Sequence, residues 1–382
     1  MPMSKTKLDQ ILGIPIQELK DRVKKEKQAE KRSVFKFDFT PRELYDELTK
    51  FVVGQDDTLQ KVCNAVCYHY QSLSSGKETK KNNVLLIGPT GCGKTYVVEK
   101  ISKVLEVPLL ISDATKYSAA GYVGDKVENL VQHIVSQAEG DFNSASRGII
   151  YLDEIDKIAA RELAGRDVSG RDVQSGLLKI MEGADIEVDT GHGKRMLNTK
   201  DMLFVFGGAF SDLYDSLKEM PKMGFIDSRK EKDLDNGEAL YGAEPHKLIK
   251  GLIKYGMIPE FIGRIPVIAR FRQLTQEDFV KILKESEDSP IGFYKKELES
   301  YNIKASFAEE AYSTIARLAS ERGMGARGLK SVIEESLTPY KFYLPGMKIK
   351  EIMISSEAIL NPNKTLLALF EEQQNKISGG KK

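Results

Sequence analysis

The run Gly88-Pro-Thr-Gly-Cys-Gly-Lys-Thr95 constrains this chain more than any other stretch. It fits G-x-x-x-x-G-K-[ST] and stands where that pattern has physical meaning. The apolar segment VLLI at 84–87 precedes it, and YVVEKISKVLEV, with helical periodicity, follows. A strand that feeds a glycine-rich loop opening a helix brings backbone N–H groups and the positive helix end around a phosphate. Lys94 is placed to reach the β and γ phosphates, and Thr95 to ligate Mg2+. The expected nucleotide contacts are Pro89, Thr90, Gly91, Cys92, Gly93, Lys94, Thr95 and Tyr96. Cys92 reads as a small spacer whose thiol the helix end would acidify.

GIIYLDEIDK at 148–157 supplies the second half of an ATP site. An apolar strand ending in two carboxylates lets Asp153 hold Mg2+ through water while Glu154 polarises the attacking water. The apolar runs VPLLI, GIIYL and MLFVF alternate with helical patterns, which predicts a parallel sheet with helices on both faces. Thr40-Pro41-Arg42-Glu43 predicts a helix start, with Thr as cap, Pro in the first turn and Glu closing a capping box. A second helix is expected over 56–70. Near residue 270 the pattern turns mostly helical, with strands near IKASF and EIMIS. The expected fold is a P-loop α/β large domain over 39–269 and a smaller, mainly helical α+β domain over 270–370. A charged extension occupies 1–38 and a flexible tail 371–382. Leu8, Ile11, Leu12, Ile16, Leu19 and Val23 could line one face of the extension, as a solvated helix or as a docking segment.

Composition narrows the class. Hydrophobic residues are 41% of the 382, enough for buried cores. Lys and Arg number 57 against 56 Asp and Glu, a balance that disfavours a dedicated polyanion binder, so no nucleic acid is expected. No stretch approaches the ~20 apolar residues of a membrane span. The N-terminal residues lack the apolar centre of a signal peptide, which reads as a cytoplasmic protein. Cys63, Cys67 and Cys92 are too few for a disulfide framework. Cys63 and Cys67 share a helix face, but without a second pair they make a poor metal site, and no zinc is expected.

Taken in order, several motifs resemble the ClpX family of AAA+ unfoldases, whose rings feed the ClpP peptidase. They are GPTGCGKT, GYVG at 121–124, LDEIDKI at 152–158, IPEFIGR at 258–264 and GARGL at 325–329. FVVGQ at 51–55 and GGAF at 207–210 are similar to family segments as well. The resemblance implies an ATP-dependent unfoldase, a homo-hexamer that threads substrate proteins through its pore for a ClpP-like peptidase. It casts Arg264 as the arginine finger reaching a neighbour's γ-phosphate, and Arg327 as the sensor 2 arginine. It adds Val52 and Val53 to the nucleotide contacts, Tyr122 and Val123 as the pore-loop tip, and Arg166, Asp167 and Val168 as a second pore loop. From the residues alone, a glycine-bracketed Tyr-Val is either a mobile tip that grips any polypeptide or an ordinary packed turn.

The family pattern breaks in places. The four-cysteine zinc domain is not expected, since no cysteine precedes Cys63. The pore-mouth loop is shortened to GHGKR at 191–195, keeping Lys194 and Arg195. Met223-Gly224-Phe225 is the counterpart of the peptidase-docking loop, with Met filling the place of Ile. No Asn or Thr ends the MLFVF strand in the sensor 1 position. The interval between Gly124 and Asp153 is too short for the extra domain of the related HslU family. Two other readings stay open: a remodelling chaperone that works without a peptidase, and a nucleic-acid motor, which the neutral charge and GYVG disfavour. Glu154 and Arg264 together argue against a non-hydrolysing scaffold.

Overall fold

The computed structural model describes residues 35–76, 81–118, 124–159, 168–191, 193–211, 213, 245–347 and 349–379. Two units are separable. The smaller joins residues 35–38 to 68–76, where the rings of Phe35 and Phe37 lie 5.7 and 5.6 Å from that of Tyr70. The larger holds residues 39–67 and those described from 81 onward.

Its first helix, α1 (Pro41–Thr49), opens as the sequence predicts. The Thr40 hydroxyl accepts from the Glu43 N–H at 3.2 Å, and the Glu43 carboxylate accepts from the Thr40 N–H at 2.8 Å. Helix α2 (Asp56–Ser75) outruns the predicted end at 70. Strand β1 (Val84–Ile87), helix α3 (Lys94–Leu105), β2 (Leu109–Asp113), α4 (Asn129–Gln137), the short α5 (Phe142–Ala145) and β3 (Ile149–Asp153) follow. Next come α6 (Val168–Glu182), the hairpin β4 (Asp185–Asp189) and β5 (Lys194–Asn198), β6 (Leu203–Gly208), α7 (Pro245–Tyr255), α8 (Pro259–Gly263) and β7 (Val267–Arg270).

Five of these strands form one sheet in the order β2-β3-β6-β1-β7, all parallel. Helices cover both faces, so β1 and β6 are buried along their whole length and read as unbroken apolar runs. Register pairs Val84 with both Val205 and Val267, which aligns the C-terminal ends of β1, β6 and β7 at one edge. In an open parallel sheet that edge is where ligands bind.

A second hydrophobic core begins at Leu274. It is built by α9 (Gln276–Glu285), α10 (Pro290–Glu299), β8 (Lys304–Phe307), α11 (Glu309–Glu321), α12 (Ala326–Tyr343), β9 (Glu351–Ile354), α13 (Ser356–Leu360) and α14 (Pro362–Gly379). β8 and β9 pair in parallel, matching the strands expected near IKASF and EIMIS. The stretch from 371, expected as a tail, instead continues α14 to Gly379. No helix among the described residues is long and apolar enough to cross a membrane.

Candidate active site

The loop between β1 and α3 curls because Gly91 and Gly93 take positive φ, 78° and 101°. Gly93 is the cap of α3 and brings no side-chain acceptor, so the first-turn N–H groups have no side-chain cap. Lys94 is buried, and its ammonium donates to the carbonyls of Gly88 at 2.6 Å and Pro89 at 3.0 Å across the mouth of the loop. Beside it the Thr95 hydroxyl donates to Asp153 Oδ2 at 2.9 Å, joining the loop to the end of β3. Tyr151 Oη lies 3.4 Å from Thr95 Oγ1, and burial pushes the phenol up, which keeps it neutral.

Glu154 follows Asp153 in the left-handed region, at φ 56° and ψ 33°. That backbone costs a non-glycine residue roughly 1–2 kcal/mol. Its N–H donates to Asp153 Oδ1 at 3.0 Å, and the side chain is exposed toward the cavity that it lines. Strain of this sort at a carboxylate in a cleft marks a candidate functional residue.

The cavity, about 700 Å³, lies at the strand edge of the sheet and is closed by residues from the second core. Of the predicted nucleotide residues it gathers Val52, Val53, Thr90, Gly91, Cys92, Gly93, Lys94, Thr95 and Tyr96, together with Asp153, Glu154 and Arg327. Pro89 takes part only through the carbonyl that receives Lys94. A phosphate wall, formed by the loop and the two carboxylates, faces an apolar wall of Val52, Val53, Leu274, Ile282 and Pro290. Such a surface suits the flat face of a base.

Gln55 ties the two walls. Its buried amide donates to the carbonyls of Arg272 at 2.9 Å and Cys92 at 3.4 Å, and accepts from the Arg272 N–H at 3.1 Å. The phosphate loop also meets the second core directly. The Ala326 N–H donates to the Gly91 carbonyl at 2.9 Å. A Cβ on Gly325 (φ 59°) would stand 2.6 Å from that oxygen, and one on Gly91 would run into the Met324 carbonyl. Each glycine is required by the other's backbone.

Arg327, in the first turn of α12, lines the cavity. Arg264 does not: it sits exposed at the end of α8, pairs with Glu182 at 2.6 Å, and its carbonyl accepts from Asn83 Nδ2 at 2.9 Å. Lys194 and Arg195 are on β5, Lys194 paired with Glu187 at 2.6 Å and Arg195 stacked on Phe142 at 4.1 Å. Tyr122, Val123, Arg166, Asp167, Met223, Gly224 and Phe225 lie outside the described residues. Val168 is the first residue of α6.

One expectation is corrected. The Cys92 thiol is not acidified: it is buried, and burial pushes its pKa up more than the Lys94 ammonium, 4.0 Å away, pulls it down. Cys63 and Cys67 are likewise buried and free, pushed up to about 12 chiefly by burial. No metal-ligating cluster occurs among the described residues.

Sequence reasoning missed several lining residues. Ser211 reaches the cavity just past β6, although no Asn or Thr marks that place. Asp156, almost fully buried, accepts from the Ala209 N–H at 3.3 Å and lines the same edge. Glu99, Ser286, Asp288 and Lys330 also line it. Only the DEIDK run pointed toward Asp156, and no local signal pointed to the others.

Comparison with known proteins agrees with this geometry. An AAA domain model (Cdc48 subfamily) matches residues 79–268, and a model of the C-terminal, D2-small domain of ClpB protein matches 274–340. The ATP-dependent Clp protease ATP-binding subunits ClpX of Borrelia duttonii and Borrelia recurrentis are each 39% identical over 356 residues, covering 88% of this chain and 82% of theirs. ClpX 2 of Wolinella succinogenes is 35% identical over 342 residues, covering 86% and 83%. With both family models falling on the two cores and that identity sustained across most of the length, this chain belongs to the ClpX family of AAA+ ATPases.

Proposed function

We propose that this chain hydrolyses ATP in the cavity between its two cores and, as a ring of six copies, uses turnover to unfold substrate proteins and thread them toward a ClpP-like peptidase. The observation that carries the reading is the meeting of Thr95, Asp153 and Glu154 opposite Arg327 around one cleft. The two cores serve as the large and small AAA+ domains, divided near residue 270.

Lys94 exchanges its loop carbonyls for phosphate oxygens, and the N–H groups of the α3 start orient the chain of phosphates. Glu154 holds and polarises the attacking water from its left-handed perch. Thr95 and Asp153 supply a hydroxyl and a carboxylate oxygen 2.9 Å apart, hard donors of the kind Mg2+ takes. Bound there, the ion would neutralise charge on the phosphates. Arg327 offsets the charge that develops during transfer.

Arg264 is absent from the residues lining its own chain's cavity, which fits a group delivered to a neighbour in a ring. Its exposed pair with Glu182 is worth about 0–1 kcal/mol, little to give up on assembly. Tyr122 and Val123 grip the substrate, Arg166, Asp167 and Val168 form a second ring of contacts, and Met223-Gly224-Phe225 docks the peptidase. The reading places the protein in the cytoplasm, where its three thiols stay reduced.

The test uses purified protein, ATP and a tagged folded target. Unfolding should require hydrolysis, and Tyr122→Ala should spare ATPase activity while abolishing unfolding. Vigorous hydrolysis that never denatures the target would leave only a nucleotide switch. Capture of a ClpP-like peptidase should be lost in Phe225→Ala; no capture by the unmodified chain would remove the peptidase from the proposal.

A further inference from the structure

One rim of the cavity is a polar junction of three segments far apart in sequence. Residues 50–51 lead into Val52-Val53, α3 carries Tyr96 and Lys100, and the 286–289 turn joins α9 to α10 in the second core. Ser286 Oγ donates to the Phe51 carbonyl at 2.9 Å, and the Glu287 N–H donates to the Lys50 carbonyl at 3.0 Å. Tyr96 Oη donates to Asp288 Oδ2 at 3.0 Å, and the Lys100 ammonium bonds the same oxygen. Lys100 is buried, 4.5 Å from the centre of the Phe51 ring and 5.1 Å from that of Tyr96. Burial pushes the Asp288 carboxyl up, but the hydrogen bonds from Lys100 and Tyr96 outweigh it and hold the group below its usual range.

The junction lies outside both apolar cores. Each has its own closed set of apolar residues, and none of Tyr96, Lys100 or Asp288 belongs to either. Desolvating such a pair gains little stability in itself. What the pair does fix is the placement of one lobe on the other. A ligand held by two lobes loses affinity in proportion to the fraction of time the lobes are misplaced.

We infer that Asp288 is a positioning residue, which through Tyr96 and Lys100 holds the second core's wall of the cavity on the P-loop helix and thereby sets the affinity for ATP. The inference rests on the cavity being the nucleotide site.

The experiment titrates the full chain with N-methylanthraniloyl-ATP and measures KM, kcat and melting temperature for Asp288→Asn, Lys100→Met, their double variant, Tyr96→Phe and Lys94→Ala. Loss of one charge-assisted link should raise Kd and KM about tenfold in Asp288→Asn and in Lys100→Met, more than it lowers kcat. The double variant should be no weaker than either single one, because both break the same link. Tyr96→Phe, which removes one hydroxyl and leaves the ring, should raise Kd about threefold and keeps the test open if a charge variant folds poorly. Unchanged Kd in all three single variants, with Lys94→Ala still losing binding, overturns the inference alone, as do additive effects in the double. Binding by Lys94→Ala equal to the unmodified chain overturns the site itself.

Discussion

The two walls of the cavity are built on different physical terms. The phosphate wall comes from one run, Gly88 to Tyr96, and from two carboxylates at the end of β3, which β6 separates from β1 in the parallel sheet. Its strands are buried, and its one strained residue, Glu154, directly follows the end of β3. The apolar wall draws Val52 and Val53, Leu274, Ile282 and Pro290 from separate segments, Leu274 and Ile282 packing in the second core. On the proposed reading, chemistry sits at the end of the buried sheet, and affinity draws also on the place where the two cores meet. Changes to the carboxylates of the first wall should act on turnover, and changes to Lys94 or to the second wall on binding.

The sharpest break would come from Glu154→Gln. Turnover should fall by about a thousandfold while nucleotide affinity stays within about threefold, measured by steady-state hydrolysis beside a fluorescent titration. Persistent hydrolysis would take Glu154 out of its role and blur the division between the walls. Lys94→Ala comes next: losing a cation from the phosphates should weaken nucleotide binding by about a hundredfold. A smaller change would mean that the backbone N–H groups alone hold the phosphates. Gly325→Ala probes where the walls touch. A Cβ there meets the Gly91 carbonyl in a backbone region open mainly to glycine, so chemical denaturation should report a loss of about 1–3 kcal/mol. Full stability would show that the contact yields. The mildest is Val53→Ala, which trims apolar surface only; Kd should rise about threefold with kcat unmoved. A kcat effect as large as the Kd effect would show that the apolar wall also orients the reacting phosphate.

What the sequence made readable follows the same division. The loop, its strand, its helix and the Asp153-Glu154 pair are contiguous or end a strongly apolar strand, so local pattern was enough. The Thr40 capping box was readable for the same reason, all its atoms lying within one turn. Asp288 and Ser211 were not, because their place at the cavity is fixed by the packing of one core against the other and by the exit from β6. Cys92 was misread because a helix start suggests acidity, whereas burial, a property of the folded surroundings, prevails. The left-handed turn at Glu154 carried no sequence signal, since glycine is the usual marker of that conformation and a glutamate stands there. The extent of α14 was hidden by its polar, glycine-ended sequence.

The meeting of Gly91 and Gly325 has a mechanical corollary. Where two helices touch through side chains, a rotamer change can absorb a small displacement before it travels further. Here main chain abuts main chain, bonded through the Ala326 N–H, and nothing compliant stands between. A shift of the loop toward α12 therefore meets no side chain that could absorb it first. Nor can a second substitution repair a bulky one at either position, since the obstructing atoms belong to the peptide backbone that every residue shares.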